Sequence, residues 1–216
     1  MHCIIWALPR VGSTALGRAL DALNEPFQLK DAFSGADAIE RVCAARKSIK
    51  HLYEECPDAS NIALAQAANR HGYRHIHLIR CDEFARLVSR DIATQREAWT
   101  PDLAEARFAE LKLGKARLAP LDIPHLLKLH RLGIQRWQTI RLYLGTFLTV
   151  RFEDITSSDR QRRHLALRRI AAYLDMRSIE RLERTLEASG QETKTVWNLV
   201  PNIAQFRKAL GTGGSL

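Results

Sequence analysis

The residues best suited to chemistry stand near the amino terminus, in Leu8-Pro9-Arg10-Val11-Gly12-Ser13-Thr14-Ala15-Leu16-Gly17-Arg18. Gly12 lets the backbone approach a ligand closely, Ser13 and Thr14 bring hydroxyl donors, and Arg10 brings a permanent charge on a planar fork of donors. These are the parts of a site for an anion such as a phosphate or sulfate. The plain alternative is a turn shaped by Pro9 and Gly12, with Ser13 as the N-cap of a following helix, and the segment alone leaves both readings open. It does not read as a nucleoside-triphosphate loop. That chemistry uses GxxxxGK[ST], with a Lys directly before the hydroxyl, and no Lys follows Gly12.

A loop of this kind works only if a strand and a helix aim it. Short apolar runs predict strands over 3–8, 48–53, 73–80 and 146–152. Helical patterns lie between and after them, over 13–23, 36–46, 60–70, 83–99, 124–143 and 158–174. The alternation predicts a doubly wound α/β domain with a mostly parallel sheet. The loop then falls between the first strand and the first helix, where unpaired amide groups and the positive helix end face whatever sits above the sheet. In 83–99, Phe84, Leu87, Val88 and Ile92 recur at helical spacing and should pack on the sheet. The stretch 99–145 reads as a helical excursion facing an acceptor, because Pro101, Gly114 and Pro120 interrupt its start. Residues 1–210 read as one domain and the glycine-rich 211–216 as a flexible tail.

The chain has 216 residues, 46% of them hydrophobic and 26% charged, which fits a globular domain with a substantial core and excludes a disordered chain. Its 33 Lys and Arg against 24 Asp and Glu leave a net charge of +9. Nucleic acid, acidic lipid and phosphorylated or sulfated small molecules are the partners this favours. The apolar start, Met1 to Leu8, has no basic n-region, meets Pro9-Arg10 after a few residues and is too short for a leader or a membrane span, so a cytoplasmic protein is expected. Cys3, Cys43, Cys56 and Cys81 form no CxxC pair, which argues against a zinc ribbon and a disulfide framework. His75 and His77 share one strand face as metal ligands or, with no third ligand evident, as packed side chains. Arg160, Arg162, Arg163, Arg168 and Arg169 form either a polyanion patch or a solvated helix face.

Three segments together resemble a known family. PRVGST, from Pro9 to Thr14, resembles the PRSGST-like loop of sulfotransferases that use 3′-phosphoadenosine 5′-phosphosulfate, above all their bacterial carbohydrate and glycolipid branch, with Val11 in place of the usual Ser. The run from His77 to Ser89 resembles the family's 3′-phosphate motif, in which an Arg at a strand end (here Arg80) and a Ser in the next helix (here Ser89) grip that phosphate. Gln95 and Trp99 stand where the bacterial branch has them. Val150-Arg151-Phe152-Glu153-Asp154-Ile155 is similar to the RxEDL segment, and Glu153 and Asp154 read as capping residues or as orienters of the arginines. The resemblance spans about 3–174. Arg207-Lys208-Ala209-Leu210-Gly211 is a faint echo of the C-terminal RKGxxG segment.

The resemblance implies a P-loop-NTPase-like three-layer αβα fold with a mostly parallel central sheet. It implies that Arg10, Gly12, Ser13, Thr14, Arg80 and Ser89 bind the donor, 3′-phosphoadenosine 5′-phosphosulfate (PAPS), without a metal. The sulfonate would pass to a hydroxyl of a carbohydrate, glycolipid or similar small acceptor. Such a transfer needs positioning, charge neutralisation on the leaving group and a base for the hydroxyl. Two bases stay open. Glu25, in Asn24-Glu25-Pro26-Phe27, matches the base-bearing element of the bacterial branch. His51, beside Lys50, matches the cytosolic branch, where the Lys assists the transferring sulfonate. Two other classes compete: a nucleotide-binding kinase-like P-loop protein, and a non-catalytic basic module for anions or nucleic acid. Against the last, no helix-turn-helix, zinc finger or RNP motif is present. A homo-oligomer is compatible with the sequence.

Overall fold

The computed structural model describes residues 2–20, 36–99, 101–187 and 193–212. Four strands, β1 (Cys3–Ala7), β2 (Ile49–Leu52), β3 (Arg74–Ile79) and β4 (Phe147–Arg151), form one sheet in the order β2-β1-β3-β4. Every pairing is parallel. The helices in chain order are α1 (Ser13–Ala19), α2 (Ala36–Ala44), α3 (Asp58–Arg70), α4 (Glu83–Arg96), α5 (Pro101–Lys112), α6 (Ile123–Ile140), α7 (Phe152–Ile155), α8 (Arg160–Tyr173), α9 (Glu180–Glu187) and α10 (Ile203–Thr212). All four expected strands are present, each within one residue of its expected bounds at either end.

The sheet is the middle of three layers. β1 reads Cys-Ile-Ile-Trp-Ala and is buried along its whole length, as an inner parallel strand covered on both faces must be. The register aligns Ile5 with Ile76 and Ala7 with Leu78. These four side chains pack with Val150, with Leu16 and Ala19 of α1, with Leu167 and Ile170 of α8, and with Leu182 and Leu186 of α9. On the other face Ile4, Trp6 and Ile49 pack with Ile39 and Cys43 of α2, Leu64 and Ala68 of α3, and Ile140 at the end of α6. Ile5, with no exposed surface, illustrates the cost of a gap here: truncation to Ala would cost about 2–5 kcal/mol.

The chain divides into two compact units, Met1–Cys81 with Leu132–Ser189, and Asp82–Arg131 with Gly190–Leu216. The first holds the sheet. The second has its own core, with Leu87, Val88 and Ile92 of α4, Phe108 and Leu111 of α5, Leu126 of α6, and Phe206 of α10. Asp82 starts α4 by accepting from the Ala85 amide at 2.8 Å. Phe84, Leu87, Val88 and Ile92, expected to pack on the sheet, join this second core instead. Gly211 and Thr212, expected in a flexible tail, close α10. No helix among the described residues is long and apolar enough to cross a membrane.

Candidate functional site

The strand order creates a topological switch point. From β1 the chain returns to one side as β2 and later to the other side as β3, so the crossovers diverge at the carboxyl ends of β1 and β3. Open α/β sheets bind ligands at such a point. The residue after the end of β3 is Arg80, and the loop after β1 holds Arg10 to Thr14. The two meet: Arg80 Nη1 donates to the Arg10 carbonyl at 3.1 Å, across 70 residues of sequence.

The β1–α1 turn is held in an unusual shape. Arg10 has φ +68°, a left-handed conformation that costs a non-glycine residue about 1 kcal/mol or more. Gly12 has φ +81° and is the N-cap of α1, so Ser13 is the first helical residue rather than the cap, and no side chain caps the turn. Gly12 is required for a second reason. A Cβ there would lie 2.3 Å from Cε2 of Phe152, the residue directly after β4. Val11, which replaces the family's usual Ser, is 1% exposed and sits in the core beneath the turn, so its side chain anchors the loop. Ser13 is buried and Thr14 is exposed.

The site is strongly cationic. The Arg10 guanidinium is pushed down to about 10, first by burial and then by repulsion from Arg80, and it still carries its charge at neutral pH. The guanidinium of Arg80 lies 5.3 Å from the centre of the Phe152 ring. Lys50 Nζ donates to Thr14 Oγ1 at 3.3 Å, and burial lowers its pKa from the ordinary lysine value. The side chains near the loop thus include guanidinium, ammonium and hydroxyl groups, with the Glu55 carboxylate acting on Lys50 against the effect of burial.

Phe152 and Glu153 brace the β1–α1 turn and the end of β3. The Phe152 ring touches the Gly12 position on one side and Arg80 on the other, while Glu153 Oε2 accepts from the Cys81 amide at 3.1 Å and so holds the strand end that presents Arg80. Asp154 pairs with Arg162 at 2.8 Å. The brace by Phe152 escapes a reading of motifs, although an aromatic residue directly after a parallel strand marks the position.

Strand alternation separates the neighbours Lys50 and His51. Lys50 faces the α1 side. His51 faces the other, edge-on to Trp6 at 5.1 Å, with 1% of its surface exposed. Its Nε2 is 2.6 Å from Asn61 Oδ1. Asn61 Nδ2 donates to the carbonyls of Tyr53 and Cys56, which fixes the amide orientation and makes His51 Nε2 the donor. Burial pushes His51 down to about 4, against a smaller upward effect of Asn61. The expectation that His51 works beside Lys50 is therefore corrected: the imidazole is a packed, hydrogen-bonded side chain on the opposite face. Glu25 lies outside the described residues. Ser89 is a buried residue of the second unit and Arg80 belongs to the first.

His75 and His77 are packing residues. Trp6 Nε1 donates to His75 Nδ1 at 3.1 Å, and His77 stacks on Trp137 with ring centres 3.4 Å apart. Among the described residues no group of three His, Cys, Asp or Glu could hold a metal ion. Within the second unit Arg207 stacks on Phe84 at 4.7 Å. The same unit holds a feature invisible in the sequence: Glu83 Oε2 lies 3.4 Å from His130 Nδ1 and 2.8 Å from Nε of the buried Arg86.

Two concavities of about 300 and 220 Å³ lie at the other end of the sheet. One is lined by Cys3, Ser48 and Met176 and the other by Asn69, Arg74 and Thr146. They flank the amino ends of the strands, where doubly wound sheets do not bind ligands, and the converging cations are at the carboxyl ends. No protein-family model, curated protein or solved structure matches this chain.

Proposed function

We propose that this chain is a sulfotransferase that moves a sulfonate group from PAPS to a hydroxyl of a carbohydrate, glycolipid or similar small acceptor. The observation that carries the reading is the meeting of Arg10 and Arg80 at the switch point of the sheet, over a turn that admits only glycine at position 12. Arg10 and Arg80, far apart in sequence, thus stand side by side. The chemistry of the donor set fits an anion: Arg10 and Arg80 repel one another, and a bound anion offsets that repulsion.

In this reading the loop amides, Arg10, Thr14 and Arg80 hold the donor, and Ser89 is the further residue that the resemblance assigns to it. The donor supplies the activated sulfonate. Arg10 and Lys50 neutralise charge that develops toward the leaving group, a role fixed cations perform in a cleft at little reorganisation cost. Phe152 and Glu153 hold the two halves of the site in register. With His51 turned to the opposite face, Glu25 is the base proposed to take the proton of the acceptor hydroxyl.

Calorimetry with adenosine 3′,5′-bisphosphate in buffer containing a chelator tests the reading. The wild-type chain should bind, and Arg10→Ala and Arg80→Ala should each weaken binding by about 1.5–3 kcal/mol, roughly 10- to 150-fold. Glu25→Gln should bind normally and lose turnover. Absence of binding, or binding unchanged in both arginine variants, overturns the assignment. Binding of ATP that requires magnesium would favour the kinase-like class instead.

A further inference from the structure

We propose that the exposed face of α8 is a docking surface for an anionic lipid bilayer. The helix carries five arginines in fourteen residues and no Asp or Glu. Three of them, Arg160, Arg162 and Arg163, stand in its first turn, at the positive end of the helix dipole, where cations are disfavoured. Local acids answer only part of this charge. Asp159 caps the helix by accepting from the Gln161 and Arg162 amides, and Asp154 pairs with Arg162. Among the described residues no carboxylate pairs with the exposed Arg168 or Arg169. A helix that keeps such a charge against its own local preferences is matched to something outside the chain.

The shape of the face indicates what that is. Leu167, Ile170 and Ala171 are buried in the first unit, and the opposite side of the helix is exposed. At its centre is Leu165, 56% exposed. The residues three and four positions away, which are its neighbours on a helix surface, are Gln161, Arg162, Arg168 and Arg169, all exposed. A leucine ringed by arginines along about 21 Å of helix matches a bilayer interface, with the leucine at the acyl boundary and the guanidinium groups at headgroup phosphates. A nucleic acid would use the arginines but not the leucine, and the ring nearest to them, His164, is already engaged with Glu183 at 3.0 Å. No residue of the phosphate loop takes part, so the surface stands or falls apart from the transfer reaction.

Co-sedimentation of the full chain with phosphatidylcholine vesicles, with and without phosphatidylglycerol, tests it. Binding should require phosphatidylglycerol and fall as salt is raised. With about fivefold expected per arginine near such a surface, Arg168→Ala with Arg169→Ala should weaken binding roughly 25-fold. Leu165→Ser should weaken it several-fold without changing the salt dependence. All three positions are exposed, and unchanged thermal midpoints would confirm that the variants fold. The control removes equal charge from the second unit, Lys112→Ala with Arg117→Ala, and should leave binding within about twofold if the face is local. An equal loss in the control, an unaffected Leu165→Ser, or tighter binding to single-stranded RNA through the same arginines at the same salt overturns the proposal.

Discussion

Mild acid should destabilise this protein well before its carboxylates titrate. His51, His75 and His77 are buried on or beside the face of the sheet that Trp6 occupies, and burial pushes their pKa values from 6.5 down to about 4, 4 and 3. In the unfolded chain each returns to about 6.5. Below that pH the unfolded state takes up protons that the folded state refuses, so stability is full above about pH 6.5 and falls as the pH drops toward the folded values. At pH 5.0 the gap is about 1.5 pH units for each histidine, or about 2 kcal/mol each at 1.36 kcal/mol per unit. Three together reach about 6 kcal/mol, against a total of about 5–15 kcal/mol for a typical domain. Glu83, held below the ordinary carboxylate range by His130 and Arg86 despite its burial, loses its contribution only at lower pH and does not confuse the window. Urea denaturation followed by far-UV circular dichroism at several pH values between 7.5 and 5 measures the effect. The midpoint should be level down to about pH 6.5 and then drop steeply, and His77→Phe, which keeps a ring against Trp137, should make the drop shallower by about one third. A midpoint that stays level to pH 5, or a slope unchanged in His77→Phe, would refute the reasoning.

Other outcomes follow from the site. Gly12→Ala combines a left-handed backbone with a 2.3 Å contact to Phe152 and should cost about 2–4 kcal/mol in urea denaturation; adding Phe152→Ala should remove only the contact part, so complete recovery would show that the backbone conformation carries no cost. Glu153→Ala releases the Cys81 amide and should weaken bisphosphate binding by about 1 kcal/mol, whereas Glu153→Gln, which still offers an acceptor, should restore it; equal loss in both variants would point to charge rather than position. Lys50→Met should lower kcat more than tenfold while changing bisphosphate affinity much less, and the reverse split would make Lys50 a plain binding residue.

The strands were legible because their signal is local. Cys3 to Ala7 is apolar at every position, which is what an inner parallel strand needs, and Arg74 to Ile79 and Phe147 to Arg151 stand out similarly between turn residues. The turn chemistry of Pro9 to Thr14 is local in part: the left-handed backbone at Gly12 suits glycine, whereas Arg10 holds the same conformation without being one. Helix α5 falls within the stretch 99–145 that reads as a helical excursion, and Ala104, Phe108 and Leu111 recur there at helical spacing. Pro101 is tolerated because it occupies the first helical position, where its missing amide hydrogen costs nothing.

Strand order and side-chain direction are another matter. Nothing near Arg10 says that Arg80 will stand beside it; that follows from β3 pairing directly with β1, a long-range contact selected by the packing of two helical layers. Nothing in Lys50-His51 says which of the two faces the loop, because a period of two puts neighbours on opposite faces and only the docking of α1 and α3 decides which face is which. The ring of Phe152 against Gly12 likewise joins positions 140 residues apart. Sequence therefore carried the kinds of groups and the elements that bear them, since those depend on neighbours along the chain. The convergence of the cations, and the removal of His51 from among them, came from contacts that form only when the whole sheet assembles.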